Sequence, residues 1–286
     1  MLSDSLFCFI MVSIKNIKGI NMSVIQEVIE NSRKIVLKIG SNVLSDGGGA
    51  VDKSSIQNIV EQVKGLIEAH KQVVIVSSGA GICGVGAINK WSRRMDINYK
   101  QALCAIGQVE LMMAYKEYFG SYGVHVGQLL LTREDFSDAN RNLNIRNALF
   151  TLIDEGVVPV INENDSVSVD EIKIGDNDTL GALTANLWNA DTLIVLSDID
   201  GVFDCDPKTH QGAELIGEIH DIDGVIHKID MNGTSKFGTG GIATKIEAAR
   251  MVNEYGANMV LLNGCKRDII KNAYNGLGTG TVFFAK

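Results

Sequence analysis

Lys34-Ile35-Val36-Leu37-Lys38-Ile39-Gly40-Ser41-Asn42 decides how the rest of the chain is read. Residues 35–39 form a short apolar run rich in β-branched side chains, which suits a strand covered on both faces. The run stops at a glycine followed by small polar residues. Similar runs recur at 73–77, 126–131, 157–161, 193–196 and 259–262. Between most of them lie segments with helical spacing. Ile56, Ile59, Val60, Val63, Leu66 and Ile67 share one helical face, and Leu103, Ile106, Val109, Leu111, Met113 and Phe119 mark a second helix. Ile145, Leu149, Leu152 and Ile153 mark a third, and Ile246, Ala249, Met251 and Val252 a fourth. Strands alternating with helices predict an α/β fold, a three-layer αβα sandwich around a mainly parallel sheet. Residues 166–174 (SVSVDEIKI) alternate with period two instead, which predicts a projecting β-hairpin. No linker or repeat interrupts the pattern, so 32–286 reads as one compact domain with two lobes.

Residues 1–31 differ. The apolar run 6–12 (LFCFIMV) is preceded by Asp4 and followed by Lys15 and Lys18, the wrong flanks for a secretory signal. The segment reads as a poorly ordered N-terminal extension, or translation begins at Met11 or Met22. Composition narrows the classes further. With 45% hydrophobic and 21% charged residues, the chain falls among globular proteins rather than disordered ones. A formal charge of −8 argues against a nucleic-acid partner. No run approaches the roughly 18 apolar residues of a membrane span. The five cysteines (Cys8, Cys83, Cys104, Cys205, Cys265) are scattered without a CxxC pair. They read as reduced thiols of a cytoplasmic protein, not as disulfides or a metal cluster.

In open α/β sheets, ligands sit beyond the carboxyl ends of the strands. Five of those ends carry small, polar or acidic residues: Gly40-Ser41-Asn42, Ser77-Ser78-Gly79-Ala80-Gly81, Thr132-Arg133, Asn162-Glu163-Asn164-Asp165 and Ser197-Asp198-Ile199-Asp200-Gly201. Residues 79–84 match GxGxxG, but the chain then runs polar and basic through Asn89–Arg94, where the fingerprint needs a second strand ending in an acidic residue. A dinucleotide oxidoreductase is set aside on that ground. The dipeptide Gly-Lys is absent, which removes a P-loop.

Gly238-Thr239-Gly240-Gly241-Ile242-Ala243-Thr244-Lys245 precedes a helical pattern. A Gly-rich turn feeding a helix presents free backbone N–H groups and the positive end of the dipole, and Lys245 adds a cation. The set suits a polyphosphate; a capped helix with no ligand is the alternative. Lys38 lies inside an apolar strand, where a lysine is costly unless paired. It points into a site or lies at a sheet edge. Gly175-Asp176-Asn177-Asp178 opens another helix and could hold Mg²⁺, orient lysines or cap the helix.

Together these segments resemble the glutamate 5-kinase family of the amino-acid kinase superfamily. The resemblance runs from about Arg33 to Ala285. It rests on Val36-Leu-Lys-Ile-Gly-Ser41, Ser77-Ser-Gly-Ala80, Lys100-Gln-Ala-Leu-Cys-Ala-Ile-Gly-Gln108 and Val126-Gly-Gln-Leu-Leu-Leu-Thr132. It continues through Pro159-Val-Ile-Asn-Glu-Asn-Asp165, Ile172-Lys-Ile-Gly-Asp-Asn-Asp178, Ser197-Asp198 and 238–245. The resemblance implies the amino-acid kinase fold and ATP-dependent phosphorylation of the side-chain carboxylate of L-glutamate, the first step towards proline, with Mg²⁺. It implies that Lys38 and Lys245 contact ATP phosphates, that Asp178 orients both lysines, and that Lys173 lies near the reacting groups. Ser197, Asp198 and the loop Thr239, Gly240, Gly241, Ile242, Ala243, Thr244 and Lys245 would line the nucleotide site. Ser78, Gly79, Asn162, Asp165, Asp176 and Asn177 would contact glutamate. Feedback inhibition by proline and a homo-oligomer are further family expectations.

Two departures stand out. Gly81 replaces the aliphatic residue that family members usually carry after Ser-Gly-Ala, and the chain ends at Lys286, where many bacterial members continue into a PUA domain. Two other readings are a kinase for N-acetylglutamate or aspartate, and a catalytically inactive ligand sensor. The first would leave Asp165 without an ammonium to bind; the second would be expected to lack a catalytic lysine.

Overall fold

The computed structural model describes residues 22–46, 51–89, 96–168, 177–207, 209–231 and 241–285. In chain order they form α1 (Val24–Asn31), β1 (Lys34–Ile39), α2 (Lys53–Glu68), β2 (Gln72–Ser77), α3 (Ala80–Ile88), α4 (Ile97–Gly120), β3 (Val126–Leu131), α5 (Arg133–Ser137), α6 (Ala139–Asp154) and β4 (Val158–Glu163). The chain continues with α7 (Asp178–Trp188), β5 (Thr192–Ser197), β6 (Val202–Phe203), β7 (Leu215–Ile216), β8 (Glu218–Ile219), α8 (Ile222–Met231), α9 (Ile242–Asn253), β9 (Asn258–Asn263), α10 (Ile269–Tyr274) and β10 (Gly280–Phe283).

Eight strands make one sheet in the order β3-β4-β2-β1-β5-β9-β10-β8. Every neighbouring pair is parallel except β9 and β10. Successive strand residues face opposite sides. Ile35, Leu37, Ile39, Ile75 and Leu196 therefore enter a core with α1, α2, α4 and α10. Val36, Val74, Val76, Leu193 and Val195 enter the other core, with Leu149 of α6, Trp188 of α7 and Ala249 of α9. The sheet is thus covered on both faces, as the continuous apolar runs require.

One expectation is corrected. Residues 24–31 belong to the packed domain: Ser23 caps α1 by accepting from the backbone N–H of Gln26, and Ile25, Val28 and Ile29 are buried. Each such burial contributes roughly 1.5–3 kcal/mol, enough to hold a two-turn helix against the core. On α4, Ile106, Val109 and Met113 are exposed; the buried face is Leu103, Gly107, Gln108, Leu111, Ala114, Tyr115 and Phe119. The helix repeats every 3.6 residues, so those seven positions share one side. The hairpin at 166–174 falls mostly outside the described residues; the separate antiparallel ribbon among them pairs β6 with β7.

Gly107 fixes how α3 and α4 cross. A Cβ there would stand 1.7 Å from the carbonyl oxygen of Ala80 and 2.2 Å from the backbone N of Gly84. Backbone cannot yield as a side chain can, so only glycine fits. The Ser78–Ala80 turn at the end of β2 is held by the same contact. Gly107→Ala is expected to destabilise the protein by about 3 kcal/mol, the upper part of the usual overpacking range, read as a lower midpoint in urea unfolding.

Candidate active site

Period two puts Lys38 on the side of β1 that carries Val36, facing α7 rather than a sheet edge. Lys38 is 3% exposed and its Nζ lies 2.6 Å from Asp178 Oδ1. Asp178 is the first residue of α7 and is fully buried. Its other oxygen accepts from Lys245 Nζ of α9 at 3.0 Å and from Thr244 Oγ1 at 3.1 Å. One carboxylate therefore joins a central strand to two helices, at the positive end of the α7 dipole. Gly181, one turn further along α7, permits this: a Cβ there would touch the Lys38 Cβ at 3.3 Å.

The N-terminus of α9 lies beside this group. Gly241 precedes the helix at φ 103°, a left-handed conformation suited to glycine, and no described side chain caps the first turn. Lys245 Nζ also donates to the Gly241 carbonyl at 2.9 Å. Free N–H groups, the helix dipole and a buried lysine make this end attractive to an anion. Ser197 ends β5, and its Oγ donates to Asp198 Oδ1 at 3.2 Å. Asn42 donates to the other Asp198 oxygen at 2.9 Å. Burial pushes Asp198 up, but the hydrogen bonds from Asn42, its own backbone N–H and Ser197 outweigh this and hold it below the usual carboxylate range.

A chain of amides extends from the same centre. Asn177 Nδ2 donates to Ser78 Oγ at 3.0 Å and to Asn162 Oδ1 at 2.9 Å. Asn162 Nδ2 donates to Gln108 Oε1 at 2.8 Å. All four residues are buried. Gly79 turns β2 into α3 with φ 100°. Asn162 and Glu163, expected in a loop, are the last residues of β4, because they pair in register with Leu130 and Leu131 of β3.

Asp165 lies just beyond β4. Burial raises its carboxyl above the usual range, and a hydrogen bond from the Cys104 thiol opposes the shift. Gln101 donates to the Asp165 carbonyl at 2.8 Å. A cavity of about 580 Å³ runs between α4 and the β3–β4 edge, lined at its carboxyl end by Cys104, Gln108, Glu163 and Asp165. Sequence reasoning assigned no role to Gln101, Cys104 or Gln108. The available signal was their spacing at i, i+3 and i+7, a second polar stripe on α4.

The structure therefore brings Lys38, Asp178, Thr244 and Lys245 into one group, and Ser78, Asn162 and Asn177 into an adjoining network. Gly241, Ile242 and Ala243 form the start of α9. Lys173, Asp176, Thr239 and Gly240 lie outside the described residues. Among the described residues, no three His, Cys, Asp or Glu side chains group as a metal cage.

Comparison with known proteins agrees with this geometry. The amino acid kinase family model matches residues 33–263. A glutamate 5-kinase of Alkaliphilus oremlandii is 57% identical over 260 residues, covering 91% of this chain and 99% of that protein. A glutamate 5-kinase of Clostridium acetobutylicum is 41% identical over 265 residues, covering 93% and 99%. Two solved structures share the fold: UMP kinase from Ureaplasma parvum (19% identity, TM-score 0.61, 89% of this chain and 99% of that one) and carbamate kinase from Giardia lamblia bound to AMP-PNP (15%, 0.62, 89% and 99%). Family model, close relatives and the paired lysines of the strand-end site together show that the chain belongs to the amino acid kinase family and, within it, to the glutamate 5-kinases.

Proposed function

We propose that this protein transfers the γ-phosphoryl group of ATP to the side-chain carboxylate of L-glutamate, giving L-glutamyl 5-phosphate for proline synthesis. The observation that carries this is the convergence of Lys38 and Lys245 on Asp178 beside the free N-terminus of α9. The relatives named glutamate 5-kinase support the substrate, and AMP-PNP bound to the carbamate kinase supports a nucleotide in this fold.

The acceptor needs no general base. A glutamate side chain in water loses its proton at about pH 4.3, so at neutral pH it is already an anionic nucleophile. One carboxylate oxygen bonds to the γ-phosphorus, the bond to the β–γ bridging oxygen breaks, ADP leaves, and no proton moves. The difficulty is that two anions must meet, so positioning and charge neutralisation carry the catalysis. Lys38 and Lys245 supply positive charge, and Asp178 holds both ammonium groups in place. The first turn of α9, with Ser197 and Asp198 across from it, suits the nucleotide. Asp165 is the anion for the substrate's α-ammonium, with Ser78, Asn162 and Asn177 beside it. Mg²⁺ normally takes one or two carboxylates and otherwise phosphate and water oxygens. Asp198, an exposed carboxylate of this set, could hold such an ion beside the phosphates. When bound it would neutralise phosphate charge.

No described helix is long and apolar enough to cross a membrane. The cysteines at 83, 104, 205 and 265 are not joined in disulfides, which suits a cytoplasmic setting. Proline as a feedback inhibitor and a homo-oligomeric state belong to the same reading.

The direct test is ATP-dependent hydroxamate formation, in which hydroxylamine traps an acyl phosphate. Signal from L-glutamate, and little from N-acetylglutamate or L-aspartate, is expected; signal from another acid would reassign Asp165, and none from any acid would refute the reaction. Lys245→Ala is expected to lower kcat at least about a hundredfold, measured with circular dichroism to show that the fold is retained. Asp165→Asn should raise KM for glutamate at least about tenfold while KM for ATP stays within about twofold, since a charged hydrogen bond is worth roughly 1.5–3 kcal/mol. An equal rise in both constants would remove Asp165 from the glutamate site.

A further inference from the structure

We propose that Gln108 is a specificity-determining contact: its side-chain N–H donates to the α-carboxylate of the amino-acid substrate. The inference rests on the glutamate reading of the site. It follows from the polarity of the amide chain, which one group fixes because it cannot flip. The backbone N–H of Glu163 donates to Asn162 Oδ1 at 2.9 Å, so the nitrogen of that side chain must face Gln108. An amide nitrogen only donates, so the Gln108 atom 2.8 Å from it is Oε1. Gln108 Nε2 is thereby turned elsewhere. It is buried and has no hydrogen-bond partner among the described residues, in a residue only 9% exposed. At the other end, Asn177 Nδ2 faces Asn162 Oδ1, which leaves Asn177 Oδ1 buried and without a partner among the described residues.

The chain therefore ends in one free donor and one free acceptor. A free amino acid presents the complement, an α-carboxylate and an α-ammonium. Asp165 and Asn177 Oδ1 can both accept from the ammonium, but neither can meet the carboxylate. Gln108 Nε2 can, and Gln108 lines the cavity together with Asp165. Lys116 also lines that cavity, but it is exposed and lies eight residues on, about 12 Å further along α4 at the usual helical rise. An N–H left unpaired in the interior is costly, and a ligand carboxylate removes that cost.

The test compares L-glutamate with its α-amide, which keeps the reacting side chain but replaces the α-carboxylate by a neutral carboxamide. Gln108→Glu keeps the side-chain shape and exchanges the donor for an anionic acceptor. Hydroxamate kinetics should show kcat/KM for L-glutamate falling at least about thirtyfold, since hydrogen bonds to charged groups are worth that order, with KM for ATP within about twofold. The preference for L-glutamate over the α-amide should fall at least about tenfold. A purely structural role would lower both substrates in proportion, and an unchanged ratio would overturn the inference. Gln108→Met, which removes the donor without adding charge, carries the same ratio test if the glutamate variant does not fold, as judged by thermal unfolding. If the unmodified protein yields no hydroxamate from L-glutamate, the glutamate reading fails and takes this inference with it. If that protein is active and the ratio does not move in either variant, only the role of Gln108 fails.

Discussion

Two lysines sharing one buried carboxylate are the constraint on which the rest of the structure depends. Asp178 is fully buried, and Lys38 and Lys245 are each 5% exposed or less. Charges in such a place need partners, because desolvation costs several kcal/mol per ion and removing one partner of a buried pair typically costs about 3–5 kcal/mol. Asp178 meets this need by standing at the head of α7, where the helix dipole also favours an anion. It thereby locks the carboxyl end of β1 to α7 and α9. The arrangement is weak evidence for stability, since apolar residues would often do as well. It is better understood as a way to keep two ammonium groups fixed where a polyphosphate and a carboxylate must be brought together.

That fixed centre constrains its surroundings. Gly181 lets α7 approach β1 closely enough for the Lys38 stem to lie against the helix. Asn177, next in the chain to Asp178, starts the amide network that passes through Asn162 to Gln108. The two halves of the site are thus joined by one peptide bond at the head of α7. On the far side, Gly107 sets the crossing of α3 and α4, and Gln108 follows it directly. A single dipeptide so fixes both the packing of the turn after β2 and the end of the amide network. In the proposed reaction, charge is gathered at Asp178 and the amino-acid end is read at Asp165 and Gln108.

Much of this is legible in the sequence, and the reasons are local. Short apolar runs mark each long strand of the sheet, and the alternation of strands with helices implies parallel pairing with both faces covered. Lys38 announces itself because a lysine in an apolar strand needs a partner. The glycine-rich segment before Lys245 announces a helix N-terminus. Other features mislead for reasons equally physical. Apolar spacing marks α4 as a helix but not which face is buried, because the exposed Ile106, Val109 and Met113 also lie at near-helical spacing. The first helix escapes notice as part of the domain, because a two-turn amphipathic segment has little signal of its own and gains its order from docking Ile25, Val28 and Ile29.

By itself, then, the sequence determined the strands, their covered faces, the kinase family resemblance and the residue types that a phosphoryl-transfer site requires. These are properties of composition, spacing and short motifs. The tertiary structure decided which of those residues meet. Asp178 lies 140 residues from Lys38 and 67 from Lys245, yet all three share one ion-paired group. No spacing rule joins positions so far apart. The polarity of the amide chain was likewise undecidable from sequence, since an isolated side-chain amide can turn either way. It is set only when the backbone N–H of Glu163, held in place by strand pairing, donates to Asn162.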